Sequence, residues 1–231
     1  GQQALAPIYR VLNEKHGNTE FIGYETFECT ATILAIVQDE KLVESIAEGQ
    51  TGEIILDKTP FYAESGGQIG DMGGIEAVNG NAHVETARRL VGKTVLHQVV
   101  VTSGELRVGD QVMVRIDNNR RKQTEAHHTA THLLQAALRN ALGEHVHQAG
   151  SYVGPDRLRF DFTHFEGIGL ERLQDIEAVV NEYIRDDLVV DINLKPIDEA
   201  RSQGAMALFG EKYDDVVRVV KVGEASLELC G

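Results

Sequence analysis

The sequence predicts an α+β protein, in which a small antiparallel β-barrel domain precedes a domain of helices packed on an antiparallel sheet. Short β-rich runs separated by Gly, Asp and Asn turns occupy residues 21–117, a pattern typical of a small barrel. Segments with apolar residues at helical spacing follow, with further strands after them. The predicted domains are an N-terminal helix from an upstream domain at 1–19, a β-barrel at 20–117 and an α+β domain at 118–231.

In the first half, a helix is predicted from Ala4 to His16, because Gly17 follows it as a stop signal. The main barrel strands are predicted by runs rich in β-branched residues, at Thr30–Val37, Gly52–Leu56, Val95–Val101 and Gln111–Ile116. A glycine-rich stretch from Pro60 to Gly74 predicts a loop whose backbone N–H groups can approach a ligand. A purely structural loop is the alternative, since the stretch matches neither a Walker nor a Rossmann pattern.

In the second half, the polar cluster Asp117–Lys122 is predicted to end the barrel, and Thr124 to cap the next helix, which runs through Leu142. The apolar stripe of the segment from Leu170 to Asp187 predicts a second long helix. The remaining predicted elements are strands Val146–Val153, Arg157–Phe162, Leu188–Ile197, Val216–Val222 and Leu227–Cys230, a short helix capped by Asp198, and an apolar turn at Ala205–Phe209.

The most informative motif places His128 and His132 four residues apart, on one face of the predicted helix. This face lies opposite the apolar stripe, which disfavours a core role but leaves open a pair of solvated surface histidines. Cys230, at the end of an alternating strand, is the candidate third ligand. Two imidazoles and a thiolate suit Zn²⁺. Thr129 stands where a His-Glu-x-x-His metalloprotease carries its glutamate, which disfavours that chemistry.

Composition narrows the classes of protein that are possible. The formal net charge is −14, which argues weakly against a nucleic-acid partner, yet residues 118–160 are locally basic and surround the histidines. No apolar stretch is long enough to span a bilayer, and no signal pattern opens the chain, so we expect a soluble, cytoplasmic protein with no membrane partner. The two cysteines fall in different predicted domains, which disfavours a disulfide.

Five motifs occur in a fixed order along the chain. They are FYAESGGQIGD at 61–71, HTATHLL at 128–134, RFDF at 159–162, GAMALFGEKY at 204–213 and LCG at 229–231. In this order they resemble the editing region of alanyl-tRNA synthetase, a class II aminoacyl-tRNA synthetase family, over nearly the whole chain. That family joins a β-barrel to an α+β editing domain, which is shared with threonyl-tRNA synthetase and with free-standing alanyl-tRNA deacylases.

The resemblance implies a particular site. Its zinc ligands would be His128, His132 and Cys230, together with a histidine beyond Gly231. Thr131 and Gln148 match family positions associated with the editing pocket, and they are the candidate catalytic residues. The implied partner is the acceptor end of tRNA(Ala) carrying a wrong amino acid.

The implied activity is hydrolysis of tRNA(Ala) mischarged with serine or glycine, in a chain that lacks the aminoacylation site of the parent ligase. Three alternatives stay open on the sequence. The chain could be a free-standing deacylase that acts in trans, or a non-catalytic tRNA-docking module with a structural zinc. A metal-dependent hydrolase of small esters or peptides is the third.

Overall fold

The computed structural model describes residues 7–90, 92–206 and 214–230. The chain divides into two compact units, one made of Gly1–Ser65 with Ile69–Lys122 and the other of Gly66–Gln68 with Gln123–Gly231. The division falls inside the helix that carries the histidines, and three residues of the glycine-rich stretch belong to the second unit. Among the described helices, none is both long enough and apolar enough to cross a membrane.

A closed ring of six antiparallel strands forms the first unit. The ring order is β10-β7-β8-β9-β5-β2, and β2 pairs back with β10. The predicted α+β class, with its small barrel, is confirmed. The elements of this unit are α1 (Pro7–His16), β1 (Glu20–Phe21), β2 (Glu28–Gln38), β3 (Lys41–Val43), β4 (Ser45–Ala47), β5 (Thr51–Leu56), β6 (Lys58–Thr59), β7 (Gly73–Glu76), β8 (Gly80–Arg89), β9 (Val95–Arg107) and β10 (Gln111–Ile116).

Strict alternation of side chains builds the barrel core. In β10 the apolar residues Val112, Val114 and Ile116 are buried, while the residues between them face outward. Helix α1 packs on the outside of the barrel, where Leu12 is fully buried against Leu96 and its neighbours. The predicted start of this helix at Ala4 lies outside the described residues.

The glycine-rich stretch is largely structural in the first unit. A Cβ atom on Gly70 would lie 2.1 Å from the Ala87 carbonyl oxygen, and one on Gly73 would lie 2.1 Å from that of Arg115. Both positions therefore need glycine because backbone passes against backbone. The buried Asp71 carboxylate pairs with Arg121, whose guanidinium also donates to the carbonyl oxygens of Gly23 at 2.8 Å and Pro60 at 3.1 Å. The Arg121 side chain therefore has a structural role within the first unit.

In its described residues, the second unit contains two long helices, one short helix and two small sheets. Strands β11 and β12 make an antiparallel hairpin, and β13, β14 and β15 make an antiparallel sheet in that order. Helix α3 buries Ile176, while Leu173 and Ile184 of its predicted apolar stripe stay exposed. The elements are α2 (Asn118–Leu142), which begins in the first unit, β11 (Gln148–Val153), β12 (Leu158–Phe162), α3 (Leu170–Arg185), β13 (Val190–Pro196), α4 (Ile197–Ser202), β14 (Val216–Val222) and β15 (Ser226–Leu229).

Two predicted helix caps are wrong. Helix α2 begins at Asn118, because the Asp117 carboxylate accepts a 3.1 Å hydrogen bond from the Arg120 backbone N–H, which leaves Thr124 inside the helix. Helix α4 begins directly after Pro196 without a side-chain cap, so Asp198 lies in its first turn. The predicted turn at Ala205–Phe209, the motif at 204–213 and Gly231 extend beyond the described residues.

Candidate metal centre

Three ligand-type side chains converge in the second unit. The imidazoles of His128 and His132 stack with ring centroids 5.1 Å apart, one turn from each other on α2. Nε2 of His128 lies 3.1 Å from Sγ of Cys230, which follows β15. One potential ligand atom from each residue lies within 4.8 Å of the other two. The three side chains therefore form a possible metal-binding group.

The polar face of α2 is covered rather than solvated. Thr131, His132 and Gln135 on this face are 6%, 8% and 2% exposed. The alternative of two solvated surface histidines is therefore wrong for His132. Helical period showed which residues share this face, but it could not show that another element lies over it.

Strand β15 supplies the group that covers His132. Its alternation turns Leu227 and Leu229 towards one apolar cluster, so that Ser226, Glu228 and Cys230 share the opposite face. Glu228 is only 3% exposed, and its Oε2 lies 2.6 Å from Nδ1 of His132. Glu228 was not identified from the sequence. It could have been, because residues two apart on a strand share a face and Glu228 lies two residues before Cys230.

Gln68 is the second residue that sequence reasoning missed, and no local pattern pointed to its role. Its Oε1 lies 2.6 Å from Nδ1 of His128. The segment around it runs beside β11, where the Val153 N–H donates to the Gly67 carbonyl oxygen at 2.8 Å. Gly67 has φ +83°, and a Cβ atom there would lie 2.2 Å from Ser151 Oγ. Only glycine fits at that position.

The donor set fits a soft or borderline divalent cation. Nε2 of His132 is buried and makes no hydrogen bond within the described part of the chain. A buried polar nitrogen without a partner is costly, and coordination would remove that cost. Two imidazole nitrogens and one thiolate match the ligands that zinc takes in proteins.

The electrostatics of the group favour a thiolate. Burial alone would raise the pKa of Cys230, but its interactions with His128 and His132 outweigh burial and lower the pKa to about 6. Burial alone would lower the pKa of His132, but its interactions with Cys230 and Glu228 raise the pKa to about 10. These interactions favour the Cys230 thiolate, and a cation that binds at the group would displace any proton from Nε2 of His132.

Thr131 and Gln148, the predicted catalytic residues, make local hydrogen bonds. Thr131 Oγ1 donates to the His127 carbonyl oxygen at 2.8 Å, one turn earlier on α2. Gln148 Nε2 donates to Ser151 Oγ at 3.3 Å, and Ser151 Oγ in turn donates to the Gly66 carbonyl oxygen. Thr131 thus lies next to His132 on the helix, whereas the side-chain amide of Gln148 bonds to Ser151.

The predicted basic region is weaker in the structure than in the sequence. Arg121 is 3% exposed and paired with Asp71. Arg157 and Arg159 are exposed, but each forms an ion pair, with Asp156 and Asp161 respectively. Much of the positive charge counted in the sequence is therefore balanced locally.

Comparison with known proteins defines the class. The family described as tRNA synthetases class II (A) matches residues 2–120 of the chain. The chain belongs to this family. The matched residues cover the barrel and the beginning of α2.

The relatives of the chain are alanine–tRNA ligases. The enzyme of Geobacillus kaustophilus is 51% identical over 221 residues, which cover 96% of this chain and 25% of the relative. That of Listeria welshimeri is 53% identical over 213 residues, or 92% of this chain and 24% of the relative. That of Thermus thermophilus is 49% identical over 237 residues, or 100% of this chain and 26% of the relative. The predicted resemblance is confirmed, and the chain spans about a quarter of the length of these relatives.

Proposed function

We propose that this chain is the editing portion of an alanyl-tRNA synthetase, which hydrolyses Ser-tRNA(Ala) and Gly-tRNA(Ala) in the cytoplasm to keep translation accurate. The observation that carries the proposal is the convergence of His128, His132 and Cys230 on one possible metal-binding group. The relatives support the choice of tRNA and amino acid, because they are alanine–tRNA ligases.

A synthetase for alanine needs a second, hydrolytic site. Serine exceeds alanine by one hydroxyl group, which a binding pocket rejects only weakly. Glycine is smaller than alanine and cannot be excluded by size. Accuracy therefore requires a site that removes the wrong products after they form, and that site must spare the alanyl ester.

Zn²⁺ is the proposed cofactor, held by His128, His132 and Cys230, with the fourth ligand that the family resemblance implies. When bound, zinc supplies a Lewis acid that can polarise an ester carbonyl or orient water. Positioning and recognition of the substrate fall to the side chains of the protein. They hold the acceptor end in a fixed place and recognise the amino acid.

Thr131 is proposed to recognise the seryl hydroxyl. Its own hydroxyl proton is donated to the His127 carbonyl oxygen, so its oxygen is the part left to accept a hydrogen bond from the substrate. An alanyl ester has no side-chain hydroxyl to donate that bond, so this contact separates seryl from alanyl esters. Gln148 is proposed as a second polar group of the pocket, steadied by Ser151.

Replacing Thr131 with Val should reduce hydrolysis of Ser-tRNA(Ala) by roughly 2- to 13-fold, the value of one neutral hydrogen bond of about 0.5–1.5 kcal/mol. The activity on Ala-tRNA(Ala) should change little, so selectivity falls. Thr129→Val is the matched control, because Thr129 also donates to a carbonyl oxygen one turn earlier, that of Glu125. Equal selectivity in the wild-type and Thr131→Val chains would remove Thr131 from recognition.

The function itself is tested by incubating this chain with Ser-tRNA(Ala) and, separately, with Ala-tRNA(Ala), each with Zn²⁺ and with a chelator. We expect seryl-tRNA to be cleaved and alanyl-tRNA to be spared, with the activity lost in chelator. Tight binding of tRNA without turnover would overturn the proposal in favour of the docking module. Turnover of small esters at the same rate as seryl-tRNA would favour a general hydrolase.

A further inference from the structure

The Nδ1 atom of each candidate histidine ligand forms a hydrogen bond with a different buried acceptor. Nδ1 of His128 lies 2.6 Å from Oε1 of Gln68, and Nδ1 of His132 lies 2.6 Å from Oε2 of Glu228. Gln68 and Glu228 are 5% and 3% exposed. Both contacts are therefore shielded from competing water.

The chemistry of the two acceptors fixes the tautomer of the two rings. An amide oxygen and a carboxylate oxygen accept hydrogen bonds and cannot donate them, so each Nδ1 must carry the proton. In a neutral imidazole the lone pair then lies on Nε2. For His128 this is the nitrogen that lies 3.1 Å from Cys230 Sγ. For His132 it is the buried nitrogen that has no hydrogen-bond partner among the described residues.

The two acceptors are themselves fixed in place. Ser226 Oγ donates to the second carboxylate oxygen of Glu228 at 2.9 Å. Gln68 forms a β-bridge with Val153, and the preceding Gly67 admits no larger side chain. Ser226 therefore holds the Glu228 carboxylate, while the β-bridge fixes the backbone from which the buried Gln68 side chain extends.

We infer that Gln68 and Glu228 are positioning residues, which hold His128 and His132 with both Nε2 lone pairs directed to a shared metal. This inference rests on the proposed metal site and adds how the site is pre-organised. The charges agree with it. A divalent cation, the Cys230 thiolate and the Glu228 carboxylate sum to zero, so a neutral amide at position 68 suits a buried site.

The test measures the Kd for Zn²⁺ and Co²⁺ by chelator competition, with wild-type chain and with Gln68→Met. Methionine keeps the length of glutamine but removes the acceptor, so we expect metal binding to weaken roughly 10- to 100-fold. Nitrogen NMR of the zinc-loaded chain gives a second readout. The Nδ1–H of His128 should exchange with water faster in Gln68→Met, while that of His132 is unchanged. Glu228→Met should give the reverse pattern.

Two further variants separate positioning from general packing. Gln68→Glu restores an acceptor oxygen and should recover the slow exchange at His128. Gln135→Met makes the same substitution at another buried glutamine of this unit, whose amide bonds to Met206 Sδ, and should leave the Kd unchanged.

The outcomes distinguish the two levels of the proposal. A wild-type chain that binds neither metal overturns the metal site and the positioning role together. Metal binding that depends on Cys230 but is equal in wild type and Gln68→Met overturns the positioning role alone. A loss in Gln135→Met as large as that in Gln68→Met would show that packing, rather than the acceptor, matters.

Discussion

Replacing Cys230 with Ala should weaken Zn²⁺ binding by two to three orders of magnitude and abolish hydrolysis of Ser-tRNA(Ala). Structural zinc sites bind with about 10–16 kcal/mol shared among four ligands, so one ligand contributes about 2.5–4 kcal/mol, or roughly 60- to 700-fold in Kd. The thiolate is the charged member of the set, so its loss also removes a negative charge that attracts the cation. Chelator competition measures the Kd, and single-turnover deacylation measures the rate.

Cys29→Ala is the matched control for this prediction. It removes the only other cysteine, which lies on β2 in the first unit and packs partly buried against the barrel core. Metal affinity and deacylation should stay at wild-type values in this variant. If Cys230→Ala retains both, then Cys230 is not a ligand and the hydrolytic mechanism needs a different site.

Lowering the pH from 7 to 5 should destabilise the barrel by about 2 kcal/mol through His97 alone. Burial lowers the pKa of His97 to about 4, an effect only partly offset by its hydrogen bond to the Ile54 carbonyl oxygen. The unfolded chain, with a histidine pKa near 6.5, then binds more protons than the folded chain below that value. The stabilisation from the neutral His97 ring is complete above pH 6.5 and is lost as the pH falls towards 4. At pH 4 the accumulated loss is about 3 kcal/mol.

The hydrogen bonds of His97 explain why the neutral ring is needed. Nδ1 donates to the Ile54 carbonyl oxygen at 3.0 Å, so Nε2 must accept from Thr59 Oγ1 at 2.7 Å. A protonated ring could not accept this second bond.

His97→Gln tests this prediction, because glutamine can both donate and accept but does not titrate. Urea unfolding at pH 7 and at pH 5, followed by NMR signals of the barrel strands, gives the free energy of unfolding. We expect the wild type to lose about 2 kcal/mol more than the variant between the two pH values. An identical loss in both proteins would show that His97 is not responsible.

Local periodicity accounted for much of the fold and for part of the site. The β-rich run Gln111–Ile116 predicted a barrel strand, and β10 has these bounds. The spacing of four predicted that His128 and His132 share a helix face, which they do. These predictions succeed because side-chain direction follows from backbone geometry within a few residues.

Helix boundaries were less predictable, since several polar residues compete to cap the same helix. Asp117 and Thr124 are both acceptable N-caps in the sequence. Arg121, which pairs with the buried Asp71, lies in the first turn of the helix that is observed. The start of the helix thus coincides with a contact between residues fifty positions apart, which a local pattern does not reveal.

The sequence alone determined the ligand types of the candidate centre, because imidazole and thiolate chemistry is a property of the residues themselves. It also determined the alternation that puts Glu228 on the same strand face as Cys230. Only the tertiary structure decided that this face covers the polar side of α2, and that Gln68 reaches His128 from sixty residues away. Periodicity shows which side chains share one face of a helix or strand. Which residues pack against that face depends on contacts between distant segments, and no local pattern encodes these contacts.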